Sequence, residues 1–378
     1  MKKIRLIGLI ILFCASTTVC GAQDTPKVAA HGAILVDALT GRVLWEKDAA
    51  KQLAMASTTK IMTAILALEM GDFDNDIVTV SRRAAVAPRV KMYLQEGEEI
   101  ALSGLIYALM LQSSNDAAVA IAEFIGGSVE EFCAAMTAKA RQLGAQNTIF
   151  ETPNGLDAEN HQSTAYDMAL IARYAMSNTM FLEIINTVSK EVTSSRRTYN
   201  ITNKNRLLHE FEGANGIKTG YTGKAGHCFV GAARRDDMQL ISVVFASGWG
   251  PRGKEQKWVD TKEILSYGFD NFAYELILSE GDVAGVLAVE RSRTPQIELY
   301  YGESILLPLT AEERAAIAVE PRFPAGLTAP VGENQAVGEG RIYLDGEYYA
   351  SVPILTSQGA TRHDFRTSVS KVWKEFTK

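Results

Sequence analysis

The chain has 378 residues, 47% of them hydrophobic, which is enough for two domains with well-filled cores. Its net charge of −6 argues against a nucleic-acid partner, which would need a basic face. No cofactor or metal is expected: His31, His161, His209, His227 and His363 stand without ligand spacing, and a phosphate loop at Gly223-Lys224 fails because Ala225 replaces the needed Ser or Thr and Lys218 replaces the first glycine.

Residues 1–22 read as a signal peptide. Lys2, Lys3 and Arg5 precede an apolar run over 6–13, and Cys20, Gly21 and Ala22 supply small residues for cleavage after Ala22. The run is too short to span a bilayer. Loss of this leader removes three positive charges and no negative ones, taking the net charge from −6 to −9. Cys133 and Cys228 remain, in an apparent helix and an apparent strand among apolar neighbours, and are expected to be buried free thiols.

The next runs, 32–37 and 42–46, predict a hairpin turning at Thr40-Gly41. Helical patterns follow at 58–70, 103–111, 116–125, 129–143 and 164–177, and Ser57 stands at the start of the first. Strands return around Lys218 and over 228–233 and 239–246, before a helix at 258–272. The order predicts an α+β domain over 28–272, with an antiparallel sheet drawing strands from both ends and a helical cluster between them. From 273 to 358 the pattern changes to short β-rich runs (283–290, 296–301, 304–309, 315–319), a short helix at 311–316, and a hairpin at 341–349 turning on Asp345-Gly346, as expected of a small all-β sandwich domain. In the tail, 363–378, Phe365, Val369, Val372, Trp373 and Phe376 recur at helical spacing while Arg366, Lys371, Lys374 and Lys378 take other positions. An amphipathic helix lying on a membrane surface is expected there, with a helix docked on its own domain as the alternative.

Three short motifs carry the chemistry: Ser57-Thr58-Thr59-Lys60, Ser113-Ser114-Asn115 and Lys218-Thr219-Gly220. Ser-x-x-Lys alone says little, since Ser368-Val369-Ser370-Lys371 repeats it in the tail. At a helix start, however, three residues return to one face, so Ser57 Oγ and Lys60 Nζ can meet beside backbone N–H groups that stabilise an oxyanion. A lysine base must be neutral, and burial with a neighbouring cation lowers its pKa from about 10.4. Lys218 is that cation. Ser113 can relay a proton, and Asn115 offers an amide to a substrate peptide group. On a strand bordering a cleft, Lys218 and Thr219 can bind a carboxylate, Gly220 lets substrate approach the backbone, and the Tyr221 N–H joins that of Ser57 as an oxyanion hole.

These motifs, with their flanks Ala56 to Thr63, Leu111 to Ala117 and Gly216 to Thr222, resemble the low-molecular-weight penicillin-binding proteins, and more narrowly the D-alanyl-D-alanine carboxypeptidases of peptidase family S11. Pro153-Asn154-Gly155-Leu156-Asp157 and Ser163-Thr164-Ala165-Tyr166-Asp167-Met168 extend the likeness. The resemblance implies a β-lactamase/transpeptidase-like fold and a serine carboxypeptidase that acts on peptidoglycan stem peptides and is inhibited by β-lactams. Such an enzyme is exported to the outer face of the cytoplasmic membrane, in the cell-wall space or periplasm. Ser57 then forms the acyl-enzyme, Lys60 accepts the proton, Ser113 relays it, and Asn115 and Lys218 bind substrate. Departures are Ser114 where glycine is frequent and Ala56 following Met55 rather than proline. Arg252 and Lys257 are both candidates for a basic group assisting the carboxylate. A class A β-lactamase would need a deacylating Glu; the candidate, Glu183, sits in a helical pattern and its spacing to Asn186 is one residue short of the usual one. A non-catalytic peptidoglycan-binding or sensory protein on this fold would be expected to lack Ser57 or Lys60.

Overall fold

The structure is a computed structural model that describes residues 25–362 and, in the tail, Val369, Trp373 and Phe376. The expected leader and most of the expected tail helix lie outside the described residues; the three tail residues are helical and exposed.

Five antiparallel strands form the central sheet, in the order Val43–Lys47, Gly32–Asp37, Met238–Phe245, Gly226–Arg235, Ala214–Thr222. Strands from the two ends of the domain meet in its middle, Gly32 opposite Phe245 and Asp37 opposite Leu240. Both faces are covered, so side-chain alternation divides these strands between two cores. Ala33, Leu35, Phe229, Leu240 and Val244 pack with Trp258, Ile264 and Leu265 of the helix Gly250–Asn271. Ile34, Val36, Val230, Ile241 and Val243 face the helical cluster. In that cluster Lys60–Met70 is central, with every residue from Lys60 to Ala67 buried, as suits a helix packed on all sides. Around it run Asn115–Gly126, Val129–Gln142 and Ala165–Met176, the last two N-capped by the side chains of Ser128 and Thr164.

Some elements differ from expectation. The closing helix starts at Gly250, not at 258. Gly248, Pro251 and Gly253 read as breakers, yet Gly253 is bare because a Cβ there would lie 2.2 Å from the Gly248 carbonyl carbon. The helical pattern around Glu183 is the helix Thr179–Asn186, and the hairpin Ser189–Thr193/Thr198–Thr202 is an additional element. In the second lobe Ala315 and Ala316 belong to the helix Ala311–Ala316, started by a capping box between Thr310 and Glu313, and the strand begins at Ala318.

That second lobe holds a six-stranded sheet and a two-stranded sheet, Ala273–Leu278 with Ile305–Leu309. Leu278 and Ile305 of the smaller sheet share a core with Leu287, Leu299, Ile342, Val352 and Ile354 of the larger. Side chains tie the lobes: the Arg42 guanidinium donates to Pro308 O and pairs with Glu313, and Tyr274 Oη donates to the buried Asp37 carboxylate at 2.5 Å. Cys133 and Cys228 are buried free thiols.

Candidate active site

Ser57 lies in a single 3-10 turn, Ala56–Thr59, that runs directly into the helix Lys60–Met70. Ala56 adopts φ +47°, and two hydroxyls hold the turn: Thr58 Oγ1 donates to Met55 O at 2.6 Å and Thr59 Oγ1 to Ala56 O at 2.8 Å. Backbone closes on it from both sides. A Cβ on Gly155, at φ +82°, would lie 2.0 Å from Ala56 O, and one on Gly220 would lie 2.9 Å from Ser57 N. It is therefore the serine turn that makes its close approach at Gly220, and the bare α-carbon lets the strand Ala214–Thr222 lie against Ser57.

Lys60 is fully buried, and three oxygens surround its Nζ: Ser57 Oγ at 3.0 Å, Asn115 Oδ1 at 2.8 Å and the Asn154 backbone carbonyl. The Asn115 amide is oriented by its own donor, Nδ2, which bonds Pro88 O at 3.1 Å and Arg89 O at 3.0 Å. Asn115 Oδ1 and Asn154 O can only accept. A neutral amine has two N–H donors and one lone pair. With both donors given to those acceptors, a neutral Lys60 presents its lone pair to Ser57 Oγ, whose hydroxyl also lies within 3.3 Å of Asn154 O. Burial holds the Lys60 amine well below its ordinary pKa of 10.5, and the charges of Lys218 and then Lys204 lower it further.

Ser113 ends the π-helical turn Ala108–Gln112 in a left-handed conformation, φ +68°, and Asn115 opens the next helix. That turn lies against both the Lys60–Met70 helix and the Ala214–Thr222 strand, so the three motifs converge. Asp116, buried behind Asn115, accepts the Met92 and Leu94 N–H groups at 3.0 and 3.1 Å and fastens the loop that orients the Asn115 amide. Lys218 is buried, and its Nζ donates to Thr219 O at 3.3 Å. Burial and then the charge of Lys204 bring it from 10.5 to about 7. Thr219 is half-buried; Tyr221 is exposed and stacks on His227 with ring centroids 4.3 Å apart.

Two contributors escaped the sequence reading. Asn154 acts through a backbone carbonyl, whose direction no side-chain pattern reveals. Lys204 donates to Gln112 O at 2.8 Å, beside Ser113, and its backbone N–H bonds Leu111 O at 3.0 Å. Of the two basic candidates for the carboxylate, Lys257 is buried against Trp258 with its Nζ on Lys254 O, whereas Arg252 is exposed in the first turn of its helix. Glu183 is exposed on the helix Thr179–Asn186 and accepts from Tyr107 Oη at 3.1 Å. Among the described residues no group of three or more His, Cys, Asp or Glu side chains is arranged to hold a metal ion.

A serine in bonding contact with a buried lysine, a carboxamide on that lysine and a second cationic strand make this a serine acyl-transferase of the penicillin-recognising fold. Residues 19–248 match the family model described as D-alanyl-D-alanine carboxypeptidase, and residues 272–362 match that of the penicillin-binding protein 5 C-terminal domain. The chain is 31% identical over 385 residues to D-alanyl-D-alanine carboxypeptidase DacF of Bacillus subtilis, covering 99% of this chain and 97% of the relative. It is also 31% identical to DacC of Escherichia coli, covering 97% and 93%. The solved structure of penicillin-binding protein 5 from Haemophilus influenzae is similar, with a TM-score of 0.76 at 27% identity over 90% of this chain and 99% of that one. The chain belongs to the D-alanyl-D-alanine carboxypeptidase family, peptidase family S11.

Proposed function

We propose that this enzyme, a serine-type D-alanyl-D-alanine carboxypeptidase, removes the terminal D-alanine of peptidoglycan stem peptides through an acyl-enzyme on Ser57. The observation that carries the mechanism is the set of three oxygens around Lys60 Nζ, two of which can only accept. Lys60, neutral, takes the Ser57 hydroxyl proton as Oγ attacks the carbonyl of the D-Ala-D-Ala bond. The Ser57 and Tyr221 N–H groups receive the oxyanion. As the C–N bond breaks, Lys60 returns the proton through the Ser113 hydroxyl to the departing amine. Asn115 holds the substrate amide; Lys218 and Thr219, on the strand allowed in by Gly220, hold the terminal carboxylate. Water then attacks the ester, Lys60 accepting its proton and Ser57 recovering one. β-Lactams present the same carbonyl and carboxylate and acylate Ser57.

Arg252, exposed where Lys257 is buried, is the better supported of the two basic groups for assisting the carboxylate. A β-lactamase reading has little support, because Glu183 points to Tyr107; a non-catalytic reading is opposed by the presence of Ser57 and Lys60 in bonding contact. In this proposal residues 1–22 direct export, 28–272 form the catalytic domain, 273–358 a β domain, and 363–378 rest on the outer face of the cytoplasmic membrane. Val369, Trp373 and Phe376, helical and exposed at spacings of four and three, support that last element.

Incubation with labelled penicillin tests the assignment. The wild type is expected to label and Ser57→Ala not to; undiminished labelling of the variant would falsify it. D-Ala release measured beside β-lactam turnover separates a carboxypeptidase from a lactamase. Deletion of 363–378 is expected to release the protein from membranes, and unchanged partitioning would favour a tail docked on its own domain.

A further inference from the structure

The turn bearing Ser57 is held by a chain of hydrogen bonds that reaches outward to His161, a residue with no part in the steps above. His161 is 2% exposed, and its Nδ1 accepts the Glu151 backbone N–H at 3.1 Å. Acceptance there leaves the ring proton on Nε2, which lies 2.8 Å from Thr59 Oγ1. The Thr59 hydroxyl in turn donates to Ala56 O at 2.8 Å. Each donor and acceptor is thereby assigned: Glu151 N–H to imidazole, imidazole N–H to hydroxyl, hydroxyl to carbonyl. Burial lowers the His161 pKa to about 4, outweighing Glu151 and Asp157, which act to raise it, so the ring stays neutral in this tautomer near neutral pH.

The end of that chain is informative. Ala56 O and the Ser57 N–H belong to one planar peptide unit, on opposite sides of it. Anchoring the carbonyl therefore fixes the direction in which the N–H points. Ala56 sits at φ +47°, a conformation that a non-glycine residue keeps only when its surroundings impose it. Gly155 closes over the same carbonyl, leaving Thr59 as its side-chain donor.

We propose that Thr59 and His161 are positioning residues for the oxyanion hole, aiming the Ser57 N–H through the Ala56 carbonyl. The proposal rests on the reading of Ser57 as the nucleophile and the Ser57 N–H as an oxyanion donor. It predicts a loss confined to the transition state, because a ground-state ligand gains nothing from that N–H direction. A merely structural role would instead lower the melting temperature and leave acylation by the folded protein intact.

The test uses the full chain and the variants Thr59→Val, Thr59→Ser, His161→Leu and His161→Gln. Four quantities are measured: the rate constant for acylation by a labelled penicillin, the dissociation constant of the preceding non-covalent complex, the dissociation constant of a boronic acid that forms a tetrahedral adduct with serine, and the melting temperature. Failure of the wild type to label, or labelling of Ser57→Ala, overturns the nucleophile reading itself, whatever Thr59 does. With that control in place, Thr59→Val is expected to slow acylation by roughly 10- to 100-fold, less than or comparable to loss of one oxyanion donor. Boronate affinity should fall by a similar factor while the non-covalent constant holds within about twofold. Thr59→Ser, which keeps the hydroxyl, should recover most of the rate. Acylation by Thr59→Val within about threefold of wild type, or a slower rate with unchanged boronate affinity, overturns the proposal. Should Thr59→Val not fold, the His161→Leu and His161→Gln pair decides by the same criteria, with Gln, which keeps a donor toward Thr59, expected to be the faster.

Discussion

In the proposed mechanism Lys218 brings an ammonium into a buried site to meet the substrate carboxylate, and this predicts a specific pH profile. The fall in its pKa from 10.5 to about 7 corresponds to roughly 5 kcal/mol against the charged form, at about 1.4 kcal/mol per pH unit. In the free enzyme the ammonium is half-populated near pH 7, about 9% populated at pH 8 and about 1% at pH 9. If the charged form binds the substrate carboxylate, kcat/KM should fall about fivefold from pH 7 to 8 and about 50-fold by pH 9, since this parameter follows the free enzyme. The alkaline limb of kcat should lie at higher pH, because the bound carboxylate raises the Lys218 pKa. The assay is D-Ala release from a pentapeptide across pH 5 to 10, for wild type and Lys218→Arg. A guanidinium does not titrate in this range, so the variant, slower throughout because its planar head is larger, should lose the alkaline limb of kcat/KM. Persistence of that limb at the same pH in Lys218→Arg, or a wild-type profile flat to pH 9, would refute the reasoning.

Lys204→Met removes a cation that lowers Lys60, so the Lys60 pKa should rise and the acid limb of kcat/KM move to higher pH; an unmoved limb would show that Lys204 acts only through Gln112. Gly155→Ala places a methyl group 2.0 Å from Ala56 O at φ +82°, and urea unfolding should show a loss of at least about 2 kcal/mol; a loss under about 0.5 kcal/mol would show that the serine turn can give way. Between pH 7 and 10.5 the unfolded chain keeps the Lys218 proton while the fold releases it, so stability should rise with pH across that window, and rise less in Lys218→Met. Equal pH dependence of the two melting temperatures would count against burial as the cause of the lowered pKa.

The site was legible where side chains at fixed spacing do the work. Ser57 and Lys60 are three apart at a helix start, and that spacing suffices to bring their polar atoms within 3.0 Å. The central sheet was legible because both its faces are buried and its strands are rich in Val, Ile, Leu and Phe. The hairpin Ser189–Thr193/Thr198–Thr202 was not, since each strand buries one residue, Val192 or Ile201, and leaves too faint a period-two signal. The helix Thr179–Asn186 did carry a signal, Asn178 as N-cap before Phe181, Ile184 and Ile185 at helical spacing. Asn154 was out of reach because its contribution is a carbonyl. Lys204 was too, because it follows a hairpin whose path determines which cations reach the cleft.

In the proposed mechanism the two buried lysines divide their tasks, Lys60 acting as a neutral amine and Lys218 as an ammonium. Burial lowers both amines, and the charge of Lys218 lowers Lys60 further. The hydrogen-bond partners of the two lysines differ in a way that suits those tasks. Lys60 has carbonyl acceptors for both N–H groups of a neutral amine, and Ser57 Oγ stands 3.0 Å away at its third position. Among the described residues Lys218 Nζ donates to one acceptor, Thr219 O, so an ammonium there has two further donors to place. A carboxylate arriving at Thr219 can take both. In the proposed mechanism, exchanging the surroundings of the two lysines would leave a charged group facing Ser57 and a neutral one facing the carboxylate, and neither step would be served.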